Sequence, residues 1–136
     1  MIGKLEQRLV RPGRGFTLLE LMIVISIIII LAAITLPQYQ RTIVATREAV
    51  LKNDLRILRT LIDQFGADKG RLPQSLEELV SEGYMREVPL DPFTGQADWA
   101  ITTGEDPMSE DGQSGMTDVH SSSAEISTEG TPYSEW

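Results

Sequence analysis

Hydrophobic positions follow three regimes along the chain. From Phe16 to Leu36 they are nearly continuous, interrupted only by Thr17, Glu20, Ser26 and Thr35. A run that is apolar on every side predicts a helix about 30 Å long, enough to cross the hydrocarbon core of a bilayer. The β-branched stretch Ile27-Ile28-Ile29-Ile30 forms helix poorly in water, but in lipid the backbone must bond internally and helix is expected. In the second regime, Ile43, Val44, Leu51, Leu55, Leu58, Ile62 and Phe65 return mostly at intervals of three, four or seven, which predicts one apolar helix face. Arg47, Glu48, Lys52, Asp54, Arg56, Arg59 and Asp63 occupy much of the rest. Glu48 and Lys52 stand four apart in the order that favours a surface ion pair. Pro37, at the border of the two regimes, removes a helical hydrogen bond and predicts a kink. The helix is expected to end between Gly66 and Gly70, with Pro73 barring its continuation. Phe16 to Asp68 would then form a rod of roughly 80 Å.

The third regime is short-ranged. Ser75-Leu76-Glu77-Glu78 is a capping-box pattern, Leu76, Leu79 and Val80 give an apolar face, and Gly83 can end a helix, so residues 75–82 are predicted helical. Pro89 to Gly95 reads as a tight turn opened by Asp91, with Pro92 setting the backbone angle. Trp99 and Ile101 alternate with Ala100 and Thr102, as in a half-buried strand. A second strand is predicted over 116–121 with Val119 inward, and a third within 125–134; Gly104 to Gly115 is expected to be a polar loop. The fold class is therefore α+β: a long N-terminal helix packed on a small C-terminal antiparallel sheet. Its expected parts are a leader (1–15), an apolar segment (16–36), an amphipathic stalk (37–70) and a globular head (71–136).

Charge sharpens this division. The chain has 136 residues and a net charge of -8. Its leader carries Lys4, Arg8, Arg11 and Arg14 against Glu6, whereas every charged residue after Arg86 is acidic. A basic segment before an apolar span stays in the cytoplasm, so the head is expected on the far side. Arg41, Arg47 and Lys52 follow the span, but the leader holds the nearer cluster. An acidic head argues against a nucleic-acid partner, which needs a basic surface, and none is expected. The acidic tail fits either a solvated surface or a cation site. There is no cysteine, hence no disulfide, thiol nucleophile or cysteine-type zinc site. A small head has a thin core, and the candidates for holding it are packing, filament contacts or a bound cation. Catalysis is not expected. His120 is the only histidine, its neighbours Ser121, Ser122 and Ser123 would alternate between faces of an extended strand, and no nucleophile elbow, phosphate loop or zincin motif occurs.

The most specific signal is the join Gly15-Phe16-Thr17-Leu18-Leu19-Glu20, placed between a basic leader and the apolar run, with Pro37 just after it. A carboxylate there costs a few kcal/mol unless it is paired. A secretory signal cut after Leu31-Ala32-Ala33, or an uncleaved signal anchor, leaves Gly15, Phe16 and Glu20 unexplained together. The join resembles the signal of the type IV pilin superfamily. That resemblance implies cleavage between Gly15 and Phe16 by a prepilin peptidase, N-methylation of the new Phe16 amine, and a pairing of Glu20 with the N-terminal amine of a neighbouring subunit during assembly. Pairing within its own chain, or protonation, would also satisfy Glu20.

The head supplies a second resemblance. Leu72-Pro73-Gln74-Ser75-Leu76-Glu77-Glu78-Leu79, Gly83-Tyr84, Pro89 to Gly95 and the tail from Asp118 to Trp136 are similar to the major pseudopilins of type II secretion. This implies a structural subunit of a secretion pseudopilus. It would sit in the inner membrane with a cytoplasmic N-terminus and a periplasmic head, in contact with lipid, before joining the filament. Its partners would be copies of itself, minor pseudopilins, the prepilin peptidase, and an inner-membrane assembly platform with its cytoplasmic ATPase. The resemblance also implies calcium held by Asp118, Ser123 and Glu125. Here, however, Ser123-Ala124-Glu125-Ile126 stands where the group has Gly-Ala-Asp-Gly. The alternatives are a type IV pilus subunit, many of which carry a disulfide that this chain lacks, and a membrane-anchored binding domain that never polymerises.

Overall fold

Thr17 starts the long helix. Its Oγ1 accepts the Glu20 amide at 3.2 Å and its carbonyl accepts the Leu21 amide at 3.2 Å, so two amides of the first turns are satisfied by one residue. The computed structural model describes residues 13–136. Lys4, Arg8, Arg11 and most of the expected leader lie outside the described residues. Helix α1 spans Leu18–Lys69, with Pro37 inside it. It ends where the sequence predicts, at Gly70, whose φ of 68° suits glycine. Two compact units result, one ending at Tyr39 and one comprising Gln40–Trp136.

In the second unit, Leu51, Leu55, Leu58, Ile62 and Phe65 of α1 are buried with Leu76, Leu79, Trp99, Met116, Val119 and Tyr133. Ile43 and Val44, expected on the same face, are each 37% exposed. The buried part of the face instead begins with a charged residue, Glu48. Helix α2, Leu76–Ser81, is capped by Ser75, whose Oγ accepts the Glu78 amide at 3.3 Å. The Glu78 carboxylate accepts the Gln74 amide at 2.7 Å and pairs with Arg71, so it ties the helix start to the preceding irregular segment instead of closing a box on Ser75. The turn at 91–95 forms as predicted: Asp91 Oδ1 accepts the Phe93 amide at 2.8 Å, and its carbonyl accepts the Gly95 amide at 2.8 Å.

Strands β1 (Ala100–Glu105) and β2 (Ser114–His120) pair antiparallel, with Ile101 opposite Val119 and a register shift between Thr102 and Thr103. The ladder is longer than the pattern suggested, because Gly104, Glu105, Ser114 and Gly115 pair as strand. Only β2 lines the core; Ile101 is 40% exposed, against the expected half-buried alternation. The third strand does not form among the described residues. One bridge, Ile126 to Pro132, is followed by a 3-10 turn, Tyr133–Glu135. Proline has no amide to donate, and the intervening backbone is used in a tight loop: the Ser127 amide donates to Thr131 at 2.8 Å and the Gly130 amide to Ser127 at 3.0 Å.

The outer edge of β2 rests on the segment before α2. The Met116 amide donates to the Pro73 carbonyl at 2.8 Å, and a Cβ built on Gly115 would lie 2.5 Å from Leu72 Cβ and 3.3 Å from the Leu72 carbonyl. Backbone and Cβ atoms cannot swing away as a side-chain end can. Gly115→Ala is therefore expected to destabilise the head by about 1–3 kcal/mol, read as a lower urea midpoint at unchanged slope. An unchanged midpoint would contradict this packing.

Candidate functional site

The first candidate is the segment at the start of α1. Gly15 and Phe16 precede the helix outside regular structure, and Phe16 is 86% exposed. No residue from Phe16 to Leu36 is buried, although the helix contains an 18-residue window of mean hydropathy 2.9. That is long and apolar enough to cross a membrane. The hydroxyls in this run are satisfied within the helix: Ser26 Oγ donates to the Met22 carbonyl at 2.7 Å, and Thr35 Oγ1 to Leu31 at 3.1 Å. Glu20 lies in the first turn, where the helix N-terminus favours negative charge. The segment thus presents a continuous apolar surface whose one carboxylate, Glu20, lies in the first turn, a few residues after the Gly15-Phe16 join.

The second candidate is the C-terminal segment, which is held by side chains from elsewhere in the chain. Glu48 Oε1 accepts the Thr128 amide at 2.7 Å and the Tyr133 hydroxyl at 2.8 Å, while Oε2 accepts the Thr128 hydroxyl at 2.6 Å. Arg59 donates from Nε to Asp118 Oδ1 at 2.7 Å, and from Nη2 to the carbonyls of Val119 at 3.0 Å and Trp136 at 2.7 Å. Fully buried Asp91 accepts the Ser121 hydroxyl at 2.5 Å. Tyr133 stacks on Phe93 with ring centres 3.8 Å apart, and Trp136 meets Tyr133 edge-on at 5.1 Å. The open cavity here, about 240 Å³, is lined by Lys52, Leu55, Arg59, Glu129 and Trp136. Both its cations are paired, Lys52 with Glu129 at 2.5 Å and Arg59 with Asp118.

The N-terminal segment, residues 11–36, matches the family model for the prokaryotic N-terminal methylation motif. The chain is 31% identical over 99 residues to the type II secretion system core protein G of Pseudomonas aeruginosa, covering 61% of this chain and 70% of that protein. It is 30% identical over 125 residues to the core protein G of Klebsiella michiganensis, covering 80% and 82%. This chain belongs to the type II secretion system core protein G family. It is also 39% identical over 67 residues to the type IV major pilin of Myxococcus xanthus, covering 49% of this chain and 30% of that pilin. No solved structure gives a significant match.

Within this family member, the three residues expected to gather round calcium have other partners or face solvent. Asp118 is engaged by Arg59, and by His120 Nε2 at 3.4 Å. Ser123 Oγ accepts the Glu125 amide at 3.3 Å, and the Glu125 side chain is exposed. Among the described residues, no cluster of three His, Asp or Glu could hold a metal. The sequence pattern missed Glu48 altogether. It sits among charged neighbours and was expected to pair with Lys52, yet it is 7% exposed and Lys52 turns to Glu129. The one local hint is its position one turn before Leu51 and two before Leu55, on the buried side of α1. His120, expected to lie at the surface, is half-buried and bonds through Nδ1 to the Trp136 carbonyl at 2.7 Å.

Ionisation of these groups is coupled to the fold. Burial disfavours the Glu48 carboxylate, but its bonds from Thr128 and Tyr133 and the charge of Lys52 outweigh burial, and its pKa lies below the ordinary 4.5. Asp118 is likewise disfavoured by burial and held below its ordinary 3.8 by Arg59, the Val119 amide and His120. Burial, then the bond to Glu48, pushes the Tyr133 phenol up to about 12. Depressed carboxyls stabilise the fold fully above their ordinary values, and that contribution is lost as pH falls below 4.5 and then 3.8. The raised phenol acts oppositely: its contribution is intact below the ordinary 10.0 and lost as pH rises toward about 12. The thermal midpoint of the head should therefore fall on both the acid and the alkaline side. A midpoint that held or rose as pH dropped through these carboxyl values would contradict the bonding described.

Proposed function

We propose that this chain is a structural subunit of a type II secretion pseudopilus. The observation that carries the reading is the juxtaposition of an N-terminal methylation motif with an apolar helical segment that nothing in its own fold covers. Prepilin peptidase cuts between Gly15 and Phe16, which lie outside regular structure as a protease substrate should. The new Phe16 amine is methylated. The monomer waits as a single-pass protein of the inner membrane, leader side in the cytoplasm and head in the periplasm, its apolar segment in lipid. It then leaves lipid for the equivalent segments of other copies. Glu20, costly in hydrocarbon when unpaired, is neutralised by the amine of a neighbouring Phe16. Its role is mechanical and not enzymatic. The minor pseudopilins, the assembly platform and its ATPase add and drive subunits, and the growing filament pushes cargo outward. Pro37, at the end of the apolar run, is a site for a change of helix direction.

The similarity to a type IV major pilin supports a second reading, a subunit of a surface pilus. Deleting the gene and assaying protein secretion and surface pili separately divides the two. Loss of secretion with pili intact is the expected result.

Glu20→Ala tests the role of the carboxylate. It should leave membrane insertion intact, because removing a carboxylate from an apolar run only favours lipid, and the folded head unchanged, because residue 20 lies outside the unit that contains it. Filament formation, measured by shearing or cross-linking, should fall at least about tenfold, the equivalent of about 1.4 kcal/mol for a lost charge-assisted contact. Filaments at wild-type yield would remove Glu20 from the mechanism.

A further inference from the structure

The C-terminal segment, residues 121–136, has to be fixed in a head with no cysteine and little regular structure beyond a two-stranded sheet. A calcium ion could do this only with about six to eight oxygens turned toward one point, several of them carboxylate. Here Asp118, the strongest of the expected ligands, is spoken for. Its Oδ1 accepts both Arg59 Nε at 2.7 Å and the Val119 amide at 2.8 Å. A divalent cation on Asp118 would sit against the Arg59 guanidinium, which also holds the carbonyls of Val119 and Trp136. The guanidinium charge opposes a second cation there, and the other oxygen, Oδ2, faces His120 Nε2 at 3.4 Å. The Glu125 amide and carbonyl are also in use, donating to Ser123 Oγ at 3.3 Å and accepting the Tyr133 amide at 3.0 Å.

The task is performed by a carboxylate from the other side. Glu48, on α1, accepts three bonds from residues 80 and 85 positions later, two from Thr128 and one from Tyr133. It is 7% exposed, and a buried carboxylate with three short donors is a strong tie whose loss leaves those donors unpaired. We propose that the C-terminal segment of this protein is locked onto α1 by a metal-free clamp centred on the Glu48 carboxylate, and that the head folds and stays folded independently of calcium. The proposal rests on head geometry and stands whether or not the chain polymerises.

The test is thermal unfolding of the full chain in detergent, followed by the fluorescence of Trp99 and Trp136, both in the head. Midpoints are compared in excess chelator and in millimolar calcium. An ion that binds only the folded state raises the midpoint, so the wild type should shift by less than about 1 °C. Glu48→Gln, of the same size, should lower the midpoint by roughly 4 °C or more, equally with and without calcium. Tyr133→Phe and Thr128→Val each remove one donor while keeping the side-chain volume. They should give smaller losses, and Tyr133→Phe should cost little more once Glu48 is replaced. These two variants carry the test if Glu48→Gln does not fold. A calcium-dependent rise of several degrees in the wild type overturns the proposal, as do wild-type midpoints for Tyr133→Phe and Thr128→Val.

Discussion

Apolar surface must be taken out of water, and α1 meets that demand differently in its two stretches. Leu51, Leu55, Leu58, Ile62 and Phe65 are covered by the head of the same chain. From Leu18 to Leu36 no side chain is buried. Each Leu or Ile removed from water is worth about 1.5–3 kcal/mol, so an uncovered run of this length cannot persist as a water-surrounded monomer. Lipid and the same segment of other copies are the two environments that satisfy it. The proposed life of the protein, first in the membrane and then in a filament, follows from this one demand. In the proposed filament, pairing offsets the cost of the Glu20 carboxylate.

The head answers the opposite problem, too little apolar surface to hold a chain end in place. Its core draws five residues from α1 itself and adds six from the rest of the head. Fixing the last sixteen residues then falls to polar side chains that reach across long sequence separations. Glu48, Arg59 and Asp91 each bond to that segment or to the strand leading into it. All three are satisfied, as charged groups taken from water must be. Tyr133 is bonded to Glu48, stacked on Phe93 and met edge-on by Trp136.

What could be read from the sequence was whatever depends on near neighbours. The apolar run, the Gly15-Phe16 join, the cap at Ser75, the turn opened by Asp91 and the end of α1 at Gly70 are all set by residues within a few positions. The two-strand pairing was legible in outline, but its length was not. Gly104, Glu105 and Ser114 look like loop residues and become strand only because their partners lie opposite. Glu48 was illegible for a related reason. Its character as a buried tie depends on Thr128 and Tyr133, and no local pattern marks a carboxylate for burial. The Arg59 contact with Asp118 was out of sight for the same reason, because the two residues lie 59 positions apart.

The most direct test of the central claim is the mass of the mature N-terminus, measured on the protein from membranes with and without prepilin peptidase. A chain beginning at N-methylated Phe16, and only where the peptidase is present, is the predicted result. It would establish that the uncovered apolar segment is the processed end of a filament precursor. A chain that still begins at Met1, or one cut near Ala33, would contradict the account and leave a small membrane-anchored or secreted domain.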